Sequence, residues 1–546
     1  MSITKMPADR YGDYNLGEFG TPCLISNNDD GKKLISNDPV INDSFAVFMM
    51  HLRRIIARDR RSIYIGGKRL TANINWLRDH IHEMKGYKHW EYDLKSYLDF
   101  MIKNQHESGF FYEITCIGDN FHTKSVDPPL VKFLPEENLA LVKIELEADI
   151  EYLVVDGAVM VYQATGDEQW IKSVLPNLEK GIDYITSDPK RWDEAHGLVK
   201  RPFTIDTWDF LPNQAGGDRR IYDDTPMSIM HGDNTGVYKA MTQLAWLNDR
   251  FGNSEKANEW RNRAAKLLEN LNKYCWNGNF YTHQIHLNHN GLDDKEDKRL
   301  SLSNTYALTR GTLTNEQGAA VIESYLKQGR ELGVLYEWCA IYPPYETFNM
   351  HKAGSYINGG SAPFLAGELA KGAFRYGYEK YGYEILKRLQ AMHRKYRELG
   401  FLYNPETGDD LSGGPNGWGA AAVLDAIDNG FAGIEDADVL MNKINLSPRF
   451  VLDDATEKRY YTGYDVSNVL VELEYKKQGN KIIYALTSPA KEVNCHILLP
   501  ENTSPIGLIV DGEKTDYIIS KIRKSTYVDF KMNKGKFILE IEFEEQ

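Results

Sequence analysis

Residues 150–186 read IEYLVVDGAVMVYQATGDEQWIKSVLPNLEKGIDYIT, and this stretch decides the fold class. On both sides of Gly166 the apolar side chains recur every three or four residues, which places them on one face of an α-helix. The stretch therefore predicts two helices, over residues 145–164 and 168–186, that pack as an antiparallel pair. Their apolar positions are Ile150, Leu153, Val154, Ala158, Val161 and Tyr162 in the first helix, and Trp170, Ile171, Val174, Leu175, Leu178 and Ile182 in the second.

The same spacing recurs along the chain and predicts about six helix pairs. Most pairs are followed by a long polar and aromatic loop rather than by a short turn. This organisation favours an (α/α)6 toroid, in which loops at one end build a central pocket. A solenoid of helix pairs is the alternative, but the interval between pairs varies and no short repeat recurs. The other helices are predicted near residues 43–56, 90–103, 233–251, 255–274, 302–311, 315–328, 361–377, 380–397 and 418–429.

From about residue 450 the pattern changes to β-strands. The runs 469–475, 481–486 and 537–543 are partly alternating and are separated by turn residues. We therefore predict a mainly α protein with three regions. They are an irregular or short-stranded lead-in (1–40), an (α/α)6 barrel (41–445) and a C-terminal antiparallel, β-sandwich-like domain (446–546).

Charge and cysteine usage exclude several classes of function. The chain has 64 basic and 78 acidic residues, so its net charge of −14 argues against a nucleic-acid partner. Five cysteines are far apart and none forms a CxxC motif, so neither a disulfide framework nor a zinc site is expected. We find no run of 18 apolar residues and no signal-like start, and we expect a cytoplasmic protein without a membrane partner. A periplasmic location stays open if a signal peptide was removed.

Aromatic residues are abundant, with 33 Tyr, 21 Phe and 10 Trp. Rings beside Asp, Asn and Arg suit sugars, whose apolar face stacks on the ring while the hydroxyls take the polar groups. Residues 201–210, RPFTIDTWDF, combine an arginine, two acids and an indole between two predicted helices. Burial beside Trp208 can raise the pKa of a carboxyl group, as a general acid at neutral pH requires. The structural alternative is a buried loop whose Trp serves only packing.

Six stretches share this composition and predict a converging pocket, although each one alone is compatible with a structural role. Asp233, for example, is equally suited to cap a helix. The stretches are 75–80, 201–210, 231–234, 336–346, 356–360 and 403–408. The candidate sugar-binding residues are Trp76, Arg78, Asp79, Arg201, Asp206, Trp208, His231, Asp233, Asn234, Tyr345, Asn358 and Trp418.

Four motifs appear in barrel order: WLRD at 76–79, DTWDF at 206–210, YINGGSAPF at 356–364 and GWGAA at 417–421. Over residues 70–430 this ordered set resembles the (α/α)6 glycoside hydrolases, namely glucoamylases, trehalases, processing α-glucosidases and amylo-α-1,6-glucosidase-like enzymes. The resemblance implies hydrolysis with inversion by two carboxyl groups, one protonating the leaving oxygen and one activating water.

Carried over by position, the resemblance implies that Asp209 is the general acid. Asp206 would bind a sugar hydroxyl or tune the acid, and Trp208 would stack on the ring. Arg78 and Asp79 would hold the sugar in the deepest subsite.

The general base is where this sequence departs from the pattern. Relatives carry a Glu just before a stretch like 403–408, but Phe401, Leu402 and Asn404 stand there instead. Glu337, between two aromatic residues, and Glu406 are the remaining candidates, with Glu346 a third.

We therefore expect an inverting, exo-acting glycoside hydrolase on a small or terminal α-linked sugar, with an oligosaccharide or glycoside as its partner and no cofactor. The alternatives are a sugar 2-epimerase, a glycoside phosphorylase, or a carbohydrate-binding protein without activity. His80, His82, His231 and His351 keep the epimerase open because histidine titrates near neutrality. Paired acids at 223–224 and 409–410 are typical of solvated loops, and no metal is assigned.

Overall fold

The computed structural model describes residues 23–27, 45–59, 64–65, 68–69, 74–118, 120–212, 218–396, 398–411 and 415–545. Helices in these residues form most of the first part of the chain. They are α1 Phe45–Asp59, α2 Leu77–Tyr87, α3 Ser96–Lys103, α4 Phe121–Lys124, α5 Ile150–Thr165, α6 Glu168–Ile185, α7 His231–Arg250, α8 Ser254–Cys275, α9 Ser303–Ala307, α10 Asn315–Glu331, α11 Pro363–Arg375, α12 Glu379–Tyr396 and α13 Gly417–Asp425, which continues as a π-helical segment Ala426–Ala432.

Six helices form a closed inner ring. Helices α2, α5, α7, α9, α11 and α13 contact one another in that order, and α13 returns to α2. Helices α1, α3, α6, α8, α10 and α12 pack outside them. The ring is tight because small residues let backbones approach: a β-carbon on Gly367 would lie 2.5 Å from the Ala422 carbonyl carbon. This confirms the predicted (α/α)6 toroid.

Short strands connect the helices at one end of the ring. One four-stranded sheet has the order β4-β5-β7-β6 and another the order β11-β10-β9-β8. The strands of this region are β2 Tyr64–Ile65, β3 Lys68–Arg69, β4 Ile74–Trp76, β5 Ile114–Cys116, β6 Val131–Leu134, β7 Leu139–Val142, β8 Trp192–Asp193, β9 Leu198–Pro202, β10 Met227–Met230, β11 Gln284–His286, β12 Leu300–Ser301, β13 Ile341–Tyr342, β14 Thr347–Phe348 and β15 His351–Lys352.

The C-terminal part consists of two sheets, as the change of pattern predicts. Their strand orders are β1-β18-β19-β20-β26-β22-β23 and β16-β17-β21-β25-β24, antiparallel except for the β17–β21 pair. Apart from β1 Cys23–Asn27, which pairs with β18, the predicted lead-in lies outside the described residues. The remaining strands are β16 Ile434–Asp436, β17 Lys443–Leu446, β18 Glu457–Tyr464, β19 Val469–Gln478, β20 Lys481–Thr487, β21 Glu492–Leu498, β22 Thr503–Val510, β23 Glu513–Lys514, β24 Ile518–Ile522, β25 Ser525–Met532 and β26 Lys536–Glu545.

Two predicted loop stretches are helical. Residues 77–80 begin α2 and residues 231–234 form the first turn of α7. Conversely, the helix predicted over 90–103 begins only at Ser96, and the one over 302–311 is the single turn α9. Among the described helices, none combines the length and the apolar character needed to cross a bilayer.

Candidate active site

The inner helices begin at the same end of the ring, and the segments that precede them meet there. Arg78 lies in the first turn of α2, and Asp149 directly precedes α5. His231 opens α7, Ser303 opens α9, and Trp418 lies in the first turn of α13. The common direction of these helices thus brings residues far apart in sequence to one end of the barrel.

Arg78 is the centre of a buried ion-pair cluster. Its guanidinium donates to the two oxygens of Asp149 at 2.6 and 2.7 Å and to Glu147 Oε2 at 2.5 Å, while Glu113 Oε2 lies 3.9 Å away. Burial and the neighbouring Glu147 raise the pKa of Glu113 well above its usual value. Burial opposes ionisation of Glu147 as well, but the charge of Arg78 lowers the pKa of that group to about 2.

The three carboxyl groups around Arg78 have oxygens within 4.8 Å of one another, a spacing that suits a metal ion. Arg78 supplies the positive charge at this place, so we assign no metal to the cluster. Nε and Nη2 of Arg78 are bound by these carboxylates, so the side chain is held in place at the start of α2. A sugar contact of Arg78, which the resemblance implies, stays a prediction for its remaining nitrogen.

Asp209 is a carboxyl group whose surroundings favour its protonated form. Its side chain is 13% exposed, and Oδ2 lies 2.7 Å from Nη2 of Arg219. Burial raises the pKa of Asp209, the charge of Arg219 lowers it, and the negative charge of Glu147 raises it again, with a net increase. Arg219 also contacts the Nδ1 of His122 at 2.9 Å and lies over the ring of Phe121, which is 54% exposed.

Asp206 anchors the segment that carries Asp209. Its backbone is in the left-handed region, with φ +46°, and the side chain accepts hydrogen bonds from the backbone N–H and the hydroxyl of Ser303. The Asp206 N–H donates to Nε2 of His283 at 3.1 Å, so Nδ1 of that ring donates to Glu296 Oε2 at 2.7 Å. A β-carbon on Gly232 would lie 2.2 Å from the Ser303 hydroxyl, so only glycine fits there. Asp206 is thus a positioning residue, 1% exposed.

Several buried polar atoms around Arg201 have no hydrogen-bond partner among the described residues. One Arg201 nitrogen donates to the Trp208 carbonyl at 2.6 Å, and another lies 3.6 Å from Asp233 Oδ1. The unpartnered atoms are Nε and Nη1 of Arg201, both carboxyl oxygens of Asp233, Nε2 of His231 and Nε1 of Trp208. Burial raises the pKa of Asp233 to about 7 despite Arg201. A ligand rich in hydroxyl groups can satisfy donors and acceptors of this kind.

Aromatic rings from four segments form a continuous wall. Trp208 lies with its ring centroid 5.2 Å from that of Tyr356 and 5.7 Å from that of Phe401. Phe364 continues the wall, 5.6 Å from Phe401 and 4.5 Å from Trp418. Trp76 lies apart from these rings, edge-on to His122 at 5.3 Å. Stacked rings of this kind offer the apolar platforms that sugars use.

The two candidate bases lie away from this wall. The Glu337 carboxylate accepts from the Tyr381 hydroxyl at 2.6 Å and from Arg388 at 2.8 and 2.9 Å, both on the outer helix α12. Glu406 is exposed in a turn whose backbone is bound by the Asn404 side chain. The preference for Glu337 is therefore corrected: its carboxylate is committed to an ion pair at the outside of the barrel.

Three candidate binding residues have structural partners instead. Asn234 binds the backbone of Val199 through its oxygen and its nitrogen, at 2.8 and 3.0 Å. Asn358 binds the backbone of Tyr345 at 2.9 and 3.0 Å in the same manner, and the Tyr345 hydroxyl donates to Glu296 at 2.6 Å. The polar atoms of Asn234, Asn358 and Tyr345 are thus buried and paired within the protein. These residues hold the loops in place, in contrast to the predicted sugar contacts.

Sequence reasoning missed Glu147, Asp149 and Arg219. The only signal in the sequence was the alternation of acids at 145, 147 and 149, at the start of the helix predicted over residues 145–164. Nothing in that alternation shows that two of the acids meet an arginine far earlier in the chain, since the separations are 69 and 71 positions.

Comparison with solved structures shows the same architecture in sugar-cleaving enzymes. An α-L-rhamnosidase from Dictyoglumus thermophilum is 12% identical, with a TM-score of 0.59 over 97% of this chain and 51% of the other. A GH78 family rhamnosidase of a Bacillus species is 14% identical, with a TM-score of 0.59 over 89% and 44%. The chain thus spans about half the length of these rhamnosidases, and the likeness concerns the fold.

Three further comparisons give a solved structure, a search of curated sequences and a family profile. A GH63 mannosylglycerate hydrolase from Thermus thermophilus is 15% identical, with a TM-score of 0.48 over 69% of this chain and 99% of the other. A search of curated protein sequences finds no match. The profile of the mannosylglycerate hydrolase MGH1-like glycoside hydrolase domain matches residues 73–419.

Proposed function

We propose that this chain, which belongs to the family of mannosylglycerate hydrolase MGH1-like glycoside hydrolase domains, is a hydrolase of small or terminal α-linked sugars. It cleaves the glycosidic bond with inversion of configuration at the anomeric carbon. Family membership makes the chain a glycoside hydrolase. The observation that carries the finer proposal is Asp209, a buried carboxyl group with a raised pKa beside the aromatic wall. A raised pKa favours the protonated form, which a general acid needs in order to give a proton to a leaving oxygen.

In this proposal Asp209 protonates the glycosidic oxygen while the sugar lies against Trp208 and Tyr356. Asp79 is the second carboxylate, in place of Glu337 and Glu406. It is half-buried in the first turn of α2, and its charge acts on Tyr356 together with the charge of Asp209. An inverting enzyme needs its two carboxyl groups far enough apart to admit a water molecule, roughly 6.5–9.5 Å. Asp79 accepts the proton of that water as it attacks the anomeric carbon.

The leaving group in this proposal carries a negative charge, as the glycerate in the name of the family does. Arg219 supports it, because its guanidinium lies beside the acid that protonates the leaving oxygen. An anionic leaving group that pairs with Arg219 also draws that charge away from Asp209. The pKa of Asp209 then rises, which favours the protonated form of the acid when the substrate is bound.

Product stereochemistry tests this function directly. The enzyme is incubated with mannosylglycerate and with a neutral α-mannoside, and the first product is followed by proton NMR before it mutarotates. We expect the β-anomer to appear first and the anionic substrate to be cleaved with the higher kcat/KM. First appearance of the α-anomer would exclude inversion, and equal kcat/KM values would exclude the anionic leaving group.

Arg219→Gln is expected to shift the basic limb of the pH–rate profile on a neutral glycoside. Activity requires protonated Asp209, so the rate falls as pH rises through its pKa. Arg219 lowers this pKa, hence its removal should move the limb to higher pH. Arg220→Gln is the matched control, because Arg220 pairs with Asp127 and Asp218 in the same region. The assignment of Asp209 as the acid would be contradicted if the basic limb of Arg219→Gln moved to lower pH, or if it moved equally in Arg219→Gln and Arg220→Gln.

A further inference from the structure

A cavity of about 860 Å³ lies at the opposite end of the barrel from Asp209. Inner helices end there: Lys88 follows α2, Gln243 lies near the end of α7, and Asp428 lies beyond α13. The C-terminal β-domain closes it with Arg449 and Tyr464, among others. Its volume is that of a site for a small molecule.

A layer of side chains separates this cavity from the catalytic end. His82 lines the cavity and stacks on Trp418, with centroids 4.2 Å apart and planes 7° from parallel. Tyr306 lines it too and accepts a hydrogen bond from the Trp418 indole at 3.1 Å. His82, Tyr306 and Trp418 therefore lie between this cavity and the aromatic wall at the catalytic end.

Hydrogen-bond acceptors on the cavity wall lack donors. His89 donates from Nδ1 to the Gly463 carbonyl at 2.9 Å, and burial lowers its pKa to about 3, so Nε2 is an acceptor. That atom has no hydrogen-bond partner among the described residues and lies 3.5 Å from an oxygen of Asp428. Burial raises the pKa of Asp428 to about 7, so this carboxyl group accepts when ionised and donates when protonated. The Gln243 amide nitrogen donates to Asp156 at 2.8 Å, but its buried oxygen likewise has no described partner. A ligand in the cavity can therefore donate hydrogen bonds to Nε2 of His89 and to the side-chain oxygen of Gln243.

Donors on the same wall lack acceptors. The Lys88 ammonium makes no hydrogen bond or ion pair with any described residue, although its charge acts on Asp428. Arg449 donates from both terminal nitrogens to the carbonyls of Gly430 and Phe374, at 2.9 and 3.0 Å, whereas its Nε is buried without a partner in the described part of the chain. A ligand in the cavity can therefore accept hydrogen bonds from the Lys88 ammonium and from Nε of Arg449.

Charges of both signs line the cavity, which disfavours a strongly charged ligand. Lys85 and Lys371 are paired with Glu368 at 2.5 and 3.2 Å, and Lys371 with Asp425 at 2.5 Å. An anion would meet these acids and a cation would meet the lysines, at a Coulomb cost. Hydroxyl groups both donate and accept, and Trp246, Phe374 and Tyr464 provide apolar faces for C–H groups. We propose that this cavity is a second binding site, for a small neutral saccharide.

Calorimetry with monosaccharides and disaccharides tests the proposal. The full-length Asp209→Asn protein is titrated with glucose, mannose, rhamnose, maltose and trehalose, so that no turnover disturbs the heats. We expect two molecules of at least one sugar per chain, and a crystal soaked in that sugar should show it in contact with Gln243 and His89. Binding of no more than one molecule, at the Trp208 end, would overturn the proposal, as would a cavity holding water alone at saturating sugar.

Variants separate this site from the catalytic one. Gln243→Leu removes an acceptor and should weaken the second binding event about tenfold, the loss expected for one hydrogen bond. In the otherwise native protein, kcat/KM at low substrate should not change. Gln169→Leu, on the exposed surface of α6, is the matched control and should leave both binding events intact. If Gln243→Leu does not fold, Lys88→Met takes its place, and unchanged affinity in a folded variant counts against the proposal.

Discussion

Asp209→Asn is expected to lower kcat on a natural glycoside by about 10²–10⁴-fold, the usual contribution of a general acid. The asparagine keeps the shape of the side chain but carries no transferable proton. A dinitrophenyl glycoside, whose leaving group needs no protonation, should lose far less activity. Comparing kcat on the two substrates therefore isolates the proton transfer.

Two variants serve as controls for Asp209→Asn. Asp218→Asn removes a carboxylate that pairs with Arg220 nearby, and its kcat should stay within about twofold of the native value. Asp79→Asn, which removes the proposed base, should lower kcat on the natural and the activated substrate alike. An Asp209→Asn enzyme that is equally impaired on both substrates would remove Asp209 from the role of acid.

Arg78→Met is expected to destabilise the protein by about 3–5 kcal/mol, the usual cost of removing one partner from a buried ion pair. The substitution leaves Glu147 and Asp149 buried without the guanidinium that both contact below 3 Å. Urea denaturation and the melting temperature measure the effect.

The loss of stability in Arg78→Met should come from the buried carboxylates that remain unpaired, and not from the smaller volume of the methionine side chain. Adding Glu147→Gln to Arg78→Met should therefore recover part of the stability, because it removes one of the uncompensated carboxylates. Arg220→Met provides the surface reference, since Arg220 is 25% exposed and pairs with the largely exposed Asp127; it should change the free energy of unfolding by less than about 1 kcal/mol. A loss for Arg78→Met as small as that of the reference would show that the cluster is not needed for stability.

Outer helices and long inner helices could be predicted from periodicity, whereas α2 could not. An inner helix borders the lumen, so its buried side chains include polar groups: Arg78, His80, His82 and Glu83 are all less than 10% exposed. The apolar spacing that identifies a surface helix is lost in such a segment. The ring was therefore predicted from the other pairs.

The site was predicted in part for a similar reason. Asp206, Trp208 and Asp209 lie in one short stretch, whose composition indicated a site. The base was misplaced because aromatic neighbours of Glu337 suggested a sugar pocket, while the groups that hold its carboxylate, Tyr381 and Arg388, lie on a different helix. Which side chains pair across such distances in the sequence is decided by how the helices pack, and no local sequence pattern encodes it.

The closure of the ring by α13 against α2 has a consequence for synthesis of the protein. Trp418, which completes the aromatic wall, lies in the last inner helix to leave the ribosome. Until then the nascent chain contains five of the six inner helices, and the ring is open between α2 and α11. Such an opening exposes apolar surface and invites misassembly during translation. We therefore expect the barrel to close, and its aromatic wall to be completed, only after α13 has been made.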